Sequence, residues 1–331
     1  MIFLVFFVVF SYFLVISYNL PRLCQKSIWN SNGTAVLNNN ELKSPYTIFI
    51  TNDNTAYVTS HENNNILMWS LVDTNQNSKS IMRDRLNNPT GLFGTIDGNV
   101  YISNNNNNEI CKYPPNADNC DSIILGSVKS CFSLFVDIQN NLYCSMKGEH
   151  KVLKTLLQDT VSNWTIIAGT DPGGKESNQL SEPLGIFVDK NLILYVADSN
   201  NNRIQKFQPG NTNGTTVAGE NSAIGQSLRK PYAIIIDADD YLYVADYENH
   251  RIVRIKSEYF ECVIACSNKS GDRSDQLNNP KSMAFDSFGN IFVADHNNNR
   301  IQKFHLITNS CSKYNYICSI FYFLICSMRF Y

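Results

Sequence analysis

The chain contains the stretch LYVADSNNNRIQKF at Leu194–Phe207 and repeats it, with few changes, at Leu242–Ile255 and Ile291–Phe304. A long block that recurs at a regular period is the signature of a repeat protein. Each copy follows a proline, and three weaker copies precede them. The six anchor residues are Pro45, Pro89, Cys131, Pro183, Pro231 and Pro280. They are 42 to 52 residues apart, the length of a four-stranded propeller blade.

The six copies stay in register over cores of 25 residues, at 45–69, 89–113, 131–155, 183–207, 231–255 and 280–304. An aromatic residue stands twelve positions after every anchor: Tyr57, Tyr101, Tyr143, Tyr195, Tyr243 and Phe292. Each unit contains short runs rich in Val, Ile, Tyr and Phe, separated by Asn, Asp and Gly, which is typical of strands. Many runs are apolar on both faces, as in strands covered by neighbouring sheets. Residues 27–307 contain no long amphipathic helix.

Asparagine runs fall between the second and third strands of their units, at Asn63–Asn65, Asn104–Asn108, Asn200–Asn202 and Asn297–Asn299. Asparagine tolerates the left-handed backbone of tight turns, so the runs indicate turns. Six such units predict an all-β, six-bladed propeller with four antiparallel strands per blade. The run Thr34–Leu37 reads as a fourth strand without a blade, and no clear equivalent follows Phe304. We therefore predict that this N-terminal strand closes the last blade.

These patterns resemble the NHL repeat: Leu-x-x-Pro-x-Gly-Ile-x-Val-Asp, then Leu-Tyr-Val-Ala-Asp-x-x-Asn-x-Arg-Ile, then Val-Ala-Gly. The resemblance covers residues 27–307, strongly in blades 4 to 6 and weakly in blades 1 to 3, and implies a six-bladed propeller. NHL-repeat proteins include RNA-binding domains, interaction platforms, extracellular sensor domains and a peptidyl-α-hydroxyglycine lyase. The resemblance therefore sets no chemistry by itself.

An Asp at the end of the second strand is followed by an Arg at the start of the third in three blades: Asp198 and Arg203, Asp246 and Arg251, Asp295 and Arg300. The earlier blades have Ser60, Asn104 and Met146 in place of the Asp, and Asn65, Glu109 and Lys151 in place of the Arg. We predict a structural role, in which each Asp accepts hydrogen bonds across the turn and orients its Arg. A partly exposed pair of this kind contributes about 0.2–1 kcal/mol.

The first residues indicate targeting to the secretory pathway. The run Ile2–Ile16 is almost wholly apolar and suits the core of a signal peptide within residues 1–20, or an uncleaved signal anchor. Four sequons follow, at Asn32, Asn163, Asn213 and Asn268, and the first three share one position before a fourth strand. We therefore expect a glycosylated protein that is secreted or held on the outer face of a membrane.

Ten cysteines in such a chain are expected to form disulfides. Cys111 and Cys120 are symmetric about a turn, which predicts a bridge across a hairpin. Cys262 and Cys266 are expected to remain apart, because four residues of extended strand separate their Cα atoms by about 13 Å. A bridge from Cys24 to Cys311 or Cys318 would lock the ring.

The tail, residues 308–331, is apolar over Tyr316–Met328, which is too short for an ordinary membrane span. It is consistent with a membrane-associated tail, a removable lipid-anchor signal after Asn309–Ser312, or an incorrect gene end. The net charge is −2, with no stripe of Lys or Arg. Nucleic-acid binding is therefore not expected.

Metal sites are weakly indicated. His61 and His296 share one turn position, and His150 and His250 share another, three residues on. The latter two are the weak candidates for a zinc site, although four histidines spread over blades 1, 3, 5 and 6 suit surface turns better. The carboxylates Asp137, Asp189, Asp237 and Asp286 follow first strands. They could bind calcium near the axis, but a role in initiating turns is the simpler interpretation.

No sequence motif of a known catalytic site is present. We therefore predict a non-enzymatic binding module for a protein, peptide or glycan, without a cofactor. The long connections Asp171–Ser181 and Ser267–Gln276 are the candidate contact loops. The alternative is a metal-dependent lyase or hydrolase that resembles the amidating lyase.

Overall fold

The computed structural model describes residues 19–73, 79–82, 85–115, 117, 119–124, 131–157, 163–220, 227–257 and 259–309. The regular elements in these residues are strands and single 3-10 turns, without an α-helix. Six antiparallel sheets of four strands form the blades. The first strands of successive blades contact one another in a closed ring, which confirms the six-bladed propeller.

The chain begins its regular structure with β1 (Ile28–Trp29) and β2 (Thr34–Leu37). Blade 1 comprises β3 (Pro45–Ile50), β4 (Thr55–Ser60), β5 (Asn65–Ser70) and β6 (Lys79–Met82). Blade 2 comprises β7 (Pro89–Gly94), β8 (Val100–Asn104), β9 (Glu109–Tyr113) and β10 (Asp121–Ile124). Blade 3 comprises β11 (Ser133–Val136), β12 (Asn141–Met146), β13 (Lys151–Leu156) and β14 (Thr165–Ala168).

Blade 4 comprises β15 (Pro183–Val188), β16 (Leu194–Asp198), β17 (Arg203–Phe207) and β18 (Thr215–Gly219). Blade 5 comprises β19 (Pro231–Ile236), β20 (Leu242–Asp246), β21 (Arg251–Lys256) and β22 (Tyr259–Ile264). Blade 6 comprises β23 (Pro280–Phe285), β24 (Ile291–Asp295), β25 (Arg300–Phe304) and the early strand β2.

Blade 6 joins the two ends of the described chain. Strand β2 pairs antiparallel with β25, with Thr34 opposite Lys303 and Leu37 opposite Ile301. One further strand, β26 (Leu306–Thr308), pairs with β1 in a two-stranded ribbon below blade 6. The sequence analysis did not predict this ribbon.

Each first strand runs beside the axis and contributes residues to the lining of a central channel. Phe49, Phe93, Phe135 and Phe187 stand at the same position of successive blades. Their rings follow one another with centroids 5.0, 4.7 and 5.0 Å apart. This contact ladder ties the first four blades together near the axis.

The Asn-rich segments are tight turns, as predicted. In five blades a 3-10 turn joins the second strand to the third. The residue that ends the turn has a left-handed backbone in all six blades: Asn64, Asn108, His150, Asn202, His250 and Asn299. Two histidines therefore occupy the position that asparagine fills elsewhere.

Disulfides are present, as expected for an oxidising compartment. Cys111 and Cys120 are bonded across the β9–β10 hairpin, with Cα atoms 5.2 Å apart, and Cys131 is bonded to Cys144. Cys24 is also in a disulfide. Cys311 and Cys318, its two predicted partners, lie outside the described residues.

The expectation that Cys262 and Cys266 remain apart was wrong. They form a disulfide with Cα atoms 5.6 Å apart. The strand ends at Ile264, and Ala265 has φ of 57°, so the chain turns back before Cys266. The distance argument assumed an extended chain over all four steps.

Candidate functional site at the axial mouth

The residue directly after each anchor lies at the end of the central channel where the first strands begin. In order of the blades these residues are Tyr46, Thr90, Phe132, Leu184, Tyr232 and Lys281. Four of the six, Tyr46, Phe132, Tyr232 and Lys281, line the channel, and we call these four the axial mouth. In five blades the pairing of the first strand shifts register after the anchor residue. Such bulges re-aim side chains.

Three aromatic side chains of the axial mouth face one another across the axis. The Tyr46 ring lies 6.1 Å from Phe132 and 6.2 Å from Tyr232, and Phe132 lies 5.8 Å from Tyr232. Tyr247, from the turn of blade 5, stacks on Tyr232 at 5.2 Å. All four rings are half-buried, so each keeps part of its surface exposed.

Two histidines from the turns of blades 1 and 6 enclose Tyr46. His61 stacks on it with centroids 4.4 Å apart, and His296 meets it edge-on at 5.1 Å. The Nδ1 atoms of His61 and His296 lie 3.3 and 3.1 Å from the carbonyl oxygens of Pro89 and Pro45. A carbonyl oxygen only accepts, so each Nδ1 carries the proton and each Nε2 is an acceptor in the neutral ring.

Lys281 supplies the cationic group of the axial mouth. Its side chain is buried, and its Nζ lies 3.4 Å from the centre of the Tyr46 ring and 5.4 Å from that of Tyr232. None of the ion pairs among the described residues includes Lys281. The aromatic faces partly replace a counter-ion.

Burial dominates the electrostatics of this cluster. Burial, helped by the positive charge of Lys147, lowers the pKa of Lys281 to about 7. Burial, followed by the charge of Lys281, lowers the pKa of His296 to about 4. The pKa of His61 is also lowered, mainly by burial. Both histidines are therefore neutral near pH 7, while Lys281 exchanges between its charged and neutral forms.

The channel continues from the axial mouth between the first strands, and its cavity has a volume of about 110 Å³. At the opposite end, the Asn19 side chain donates hydrogen bonds to the carbonyl oxygens of Thr51 and Phe285. The Ala238 N–H donates to Pro21 O in the same region. Asn19 therefore lies at the far end of the channel, opposite the axial mouth.

The predicted calcium carboxylates lie at the far end and cap turns. Asp137 accepts from the N–H groups of Gln139 and Asn141, from the Asn141 side chain and from the Tyr143 hydroxyl. Asp189, Asp237 and Asp286 accept equivalent backbone bonds. These contacts are those of turn-initiating residues.

The Asp–Arg pairs form, with Nε–Oδ2 distances of 2.7 to 2.8 Å. The Asp side chains are fully buried and the Arg side chains are 6–14% exposed, so the pairs are more buried than the sequence analysis assumed. The guanidinium groups reach over the turn to a neighbouring connection. Arg203 donates to the carbonyls of Lys175, Glu176 and Gln179.

Those connections are the two loops predicted to contact a partner. Arg300 holds 267–276 as Arg203 holds 171–181, by donating to the carbonyls of Asp272, Arg273 and Gln276. Both loops are therefore braced parts of the scaffold. Ser60 and Asn104, which replace the Asp in blades 1 and 2, still accept a backbone hydrogen bond. Ser60 accepts the Lys43 N–H, and Asn104 accepts the Asn87 N–H.

His150 and His250 do not come together as a metal site. Each Nδ1 accepts the N–H of the residue before the next anchor, Glu182 or Asn279, at 3.1 Å. Among the described residues, one group has a metal-like arrangement, Glu109 with Cys111 and Cys120, and its two sulfurs are bonded to each other.

The four sequon asparagines, Asn32, Asn163, Asn213 and Asn268, are exposed, and their glycosylation stays a prediction. The described part of the chain contains no helix with the length and hydropathy that a membrane span requires. The predicted signal segment within 1–20 and the tail 308–331 fall almost entirely outside the described residues.

The comparisons with known proteins agree with the fold. The family profile described as NHL repeat matches residues 180–207 and 277–304, in blades 4 and 6. The chain thus resembles NHL-repeat propeller proteins in sequence as well as in architecture. Among curated proteins, none is significantly similar to this chain in sequence.

Solved structures with a similar fold include lyases and a protein of unknown function. A protein of unknown function from Bacteroides thetaiotaomicron superposes with a TM-score of 0.66 at 15% identity, covering 84% of this chain and 72% of its own. A streptogramin B lyase superposes with a TM-score of 0.57 at 14% identity, covering 80% of this chain and 94% of its own. A catalytically inactive virginiamycin B lyase from Staphylococcus aureus, with quinupristin, superposes with a TM-score of 0.58 at 15% identity. The match covers 88% of this chain and 96% of the lyase. At these identities the likeness extends to the fold alone.

Proposed function

We propose that the chain is a non-enzymatic binding module that holds an acidic group of a protein, peptide or glycan in the axial mouth. The observation that carries the proposal is Lys281, a buried ammonium group beside aromatic rings and without an ion-pair partner among the described residues. Burying a cation without a counter-ion is costly. A ligand carboxylate at Nζ would offset that cost and form a charge-assisted hydrogen bond.

The rest of the axial mouth suits a ligand with a flat or apolar body. Tyr46, Phe132 and Tyr232 present ring faces against which such a body can pack. The Nε2 acceptors of His61 and His296 could receive hydrogen bonds from an amide or hydroxyl of the ligand. A binding site for a small molecule is usually an apolar recess that contains a few polar groups.

Small probes test the proposal directly. We expect N-acetylphenylalanine, which has a free carboxylate, to bind at least about tenfold more tightly than its uncharged amide, measured by calorimetry. Glucuronate tests the glycan version of the same chemistry. Lys281→Met should remove the preference for the acid, and Lys190→Met, at an exposed lysine on the opposite face, should leave it unchanged. Equal binding of acid and amide would contradict the assignment.

The affinity for the acid should depend on pH in one direction. A carboxylate prefers the charged form of Lys281, whose pKa is lowered to about 7 in the free protein. Above that pH the protein must take up a proton to bind, so the affinity should fall by up to about tenfold per pH unit. Between about pH 5 and 6 it should be nearly constant, because ligand and lysine are then both mainly charged. Lys281→Met should abolish the decrease above pH 7.

The same proposal places the protein outside the cell, secreted or tethered to a membrane. Three described disulfides and four exposed sequons support that location. Glycosidase treatment of the protein from its natural source should increase its mobility on a gel. Unmodified Asn163 and Asn213, together with reduced cysteines, would instead indicate an intracellular protein.

A metal-dependent lyase or hydrolase is the second candidate. It is favoured by the approach of His61 and His296 to one tyrosine at the channel mouth. The metal content of the dialysed protein separates the two candidates. Near-stoichiometric zinc or calcium that is lost in the double variant His61→Phe/His296→Phe would favour the enzyme.

A further inference from the structure

The exposed large apolar side chains lie mainly on one side of the propeller. We call the side of the propeller opposite the axial mouth the base face. It is formed by the turns between first and second strands and by the ends of the third strands. The described residues include eight large apolar side chains that are exposed. Seven of them belong to the base face: Ile28, Val72, Ile96, Ile138, Leu156, Phe288 and Ile307.

The strand bounds and several hydrogen bonds place these side chains on the base face. Ile96, Ile138 and Phe288 are in the first turns of blades 2, 3 and 6. Val72 follows Leu71, whose N–H donates to Asn54 in the first turn of blade 1. The ribbon that carries Ile28 and Ile307 is held there too, since Trp29 Nε1 donates to Gly289 O. The remaining exposed residue, Ile166, lies on the outer strand β14.

Both ends of the described chain are at the base face. Asn19 is bound to the carbonyls of Thr51 and Phe285, and Asn309 donates to Arg22 O. The sequence beyond these residues is apolar at either end, over Ile2–Ile16 and Tyr316–Met328. The described chain therefore starts and ends at the base face, and its two ends are followed in the sequence by the two most apolar segments.

We infer that the base face rests on a lipid bilayer, with Ile96, Ile138 and Phe288 inserted at the interface between headgroups and acyl chains. Scattered apolar residues are ordinary on any surface, but their concentration on one face is not. Their position on the tips of separate turns suits shallow insertion into a soft interface. A protein partner would normally pack against a contiguous patch.

The charges of the base face indicate the type of lipid surface. Exposed cations such as Arg22, Lys26 and Lys190 are balanced by exposed anions such as Asp53 and Asp97. Among the described residues of this face, positive charge is not in excess, so anionic headgroups are not attracted. We therefore expect insertion into zwitterionic phosphatidylcholine without a requirement for anionic lipid. The axial mouth would then point away from the membrane, whatever ligand it holds.

The test places a fluorescent side chain on each surface of the full-length protein. Phe288→Trp and, as the matched control, Ile166→Trp are mixed with phosphatidylcholine vesicles that contain lipids brominated near the headgroup end of the acyl chain. The tryptophan fluorescence contributed by position 288 should be largely quenched and shifted to the blue. The fluorescence contributed by position 166 should be unaffected. Equal quenching at both positions, or none at 288 on protein that sediments with vesicles, would overturn the inference.

A second variant separates the base face from the apolar chain ends. Ile96→Asp/Ile138→Asp/Phe288→Asp should lower the partition coefficient onto the vesicles about tenfold, and Ile166→Asp should leave it unchanged. Unchanged partition of the triple variant would show that the ends alone hold the protein. If the emission of Phe288→Trp shifts with protein concentration in the absence of lipid, a second copy covers this face instead. A shift that is independent of concentration and lipid points to a segment of the same chain.

Discussion

At the scale of single residues, a histidine can take the place of asparagine at a left-handed turn because its Nδ1 is an acceptor at a similar distance from the backbone. Asn64, Asn202 and Asn299 accept the N–H before the next anchor through Oδ1, at 2.8 to 2.9 Å. His150 and His250 make the same bond through Nδ1. Their shared position in the repeat therefore reflects contacts between blades.

This interpretation predicts opposite outcomes for two substitutions. His150→Asn and His250→Asn should change the free energy of unfolding by no more than about 0.5 kcal/mol, because asparagine restores both the acceptor and the turn. His150→Ala should cost about 1 kcal/mol or more, since the Glu182 N–H loses its partner. Urea unfolding without reductant measures both. A loss of bound metal in the Asn variants would contradict the structural role.

At the scale of elements, the buried Asp–Arg pairs couple each turn to a connection between blades. Arg203 reaches three carbonyls of 171–181 while its Nε stays on Asp198. Asp198 in turn accepts the Ser181 N–H. One side-chain pair thus holds the start of blade 4, its turn and the preceding loop in a fixed arrangement.

Removing one partner of such a pair should lower the free energy of unfolding substantially. Arg203→Met leaves the Asp198 carboxylate buried without its cation and should cost about 3 kcal/mol. Arg273→Met, at an exposed pair with Asp275, should leave the free energy of unfolding nearly unchanged. Urea unfolding gives the two values, and cleavage by trypsin at Lys175 reports whether the loop is released. Equal losses in the two variants would show that burial of the pair is unimportant.

The elements also show why the sequence predicts the fold better than the site. Positions that agree among the copies, such as Tyr57 and its equivalents, define strands and can be found by comparing the repeats. The axial mouth uses positions that differ from blade to blade, and Tyr46, Tyr232 and Lys281 meet only because the ring closes. Reading the residue after each anchor in all six copies would have revealed an aromatic and cationic ring.

At the scale of the whole molecule, ring closure makes each blade depend on its neighbours. The hydrophobic contacts run from blade to blade, and Leu37 of the closing strand is buried among residues of blades 1 and 6. Asn299 completes the circle by accepting the Ser44 N–H. The propeller should therefore unfold as one unit.

The closing strand provides the test of this cooperativity. Leu37→Asp should cost about 4 kcal/mol, and Ala35→Asp, exposed on the same strand, less than about 0.5 kcal/mol. Trp29, Trp69 and Trp164 lie in different parts of the ring, so versions that keep one tryptophan report separate regions. In Leu37→Asp the midpoint in urea should move equally for all three. A shift confined to Trp29 and Trp69 would show that the blades unfold independently.

The pairing of β2 with β25 also sets an order of events during synthesis. The ribosome makes Thr34–Leu37 long before Arg300–Phe304, with five complete blades between them. Until the last of these residues emerges, the early strand has no partner and the nascent chain is an open arc with two unpaired edges. The finished ring can form only once Phe304 has left the ribosome, so the growing chain must be protected from aggregation while all six blades are being made.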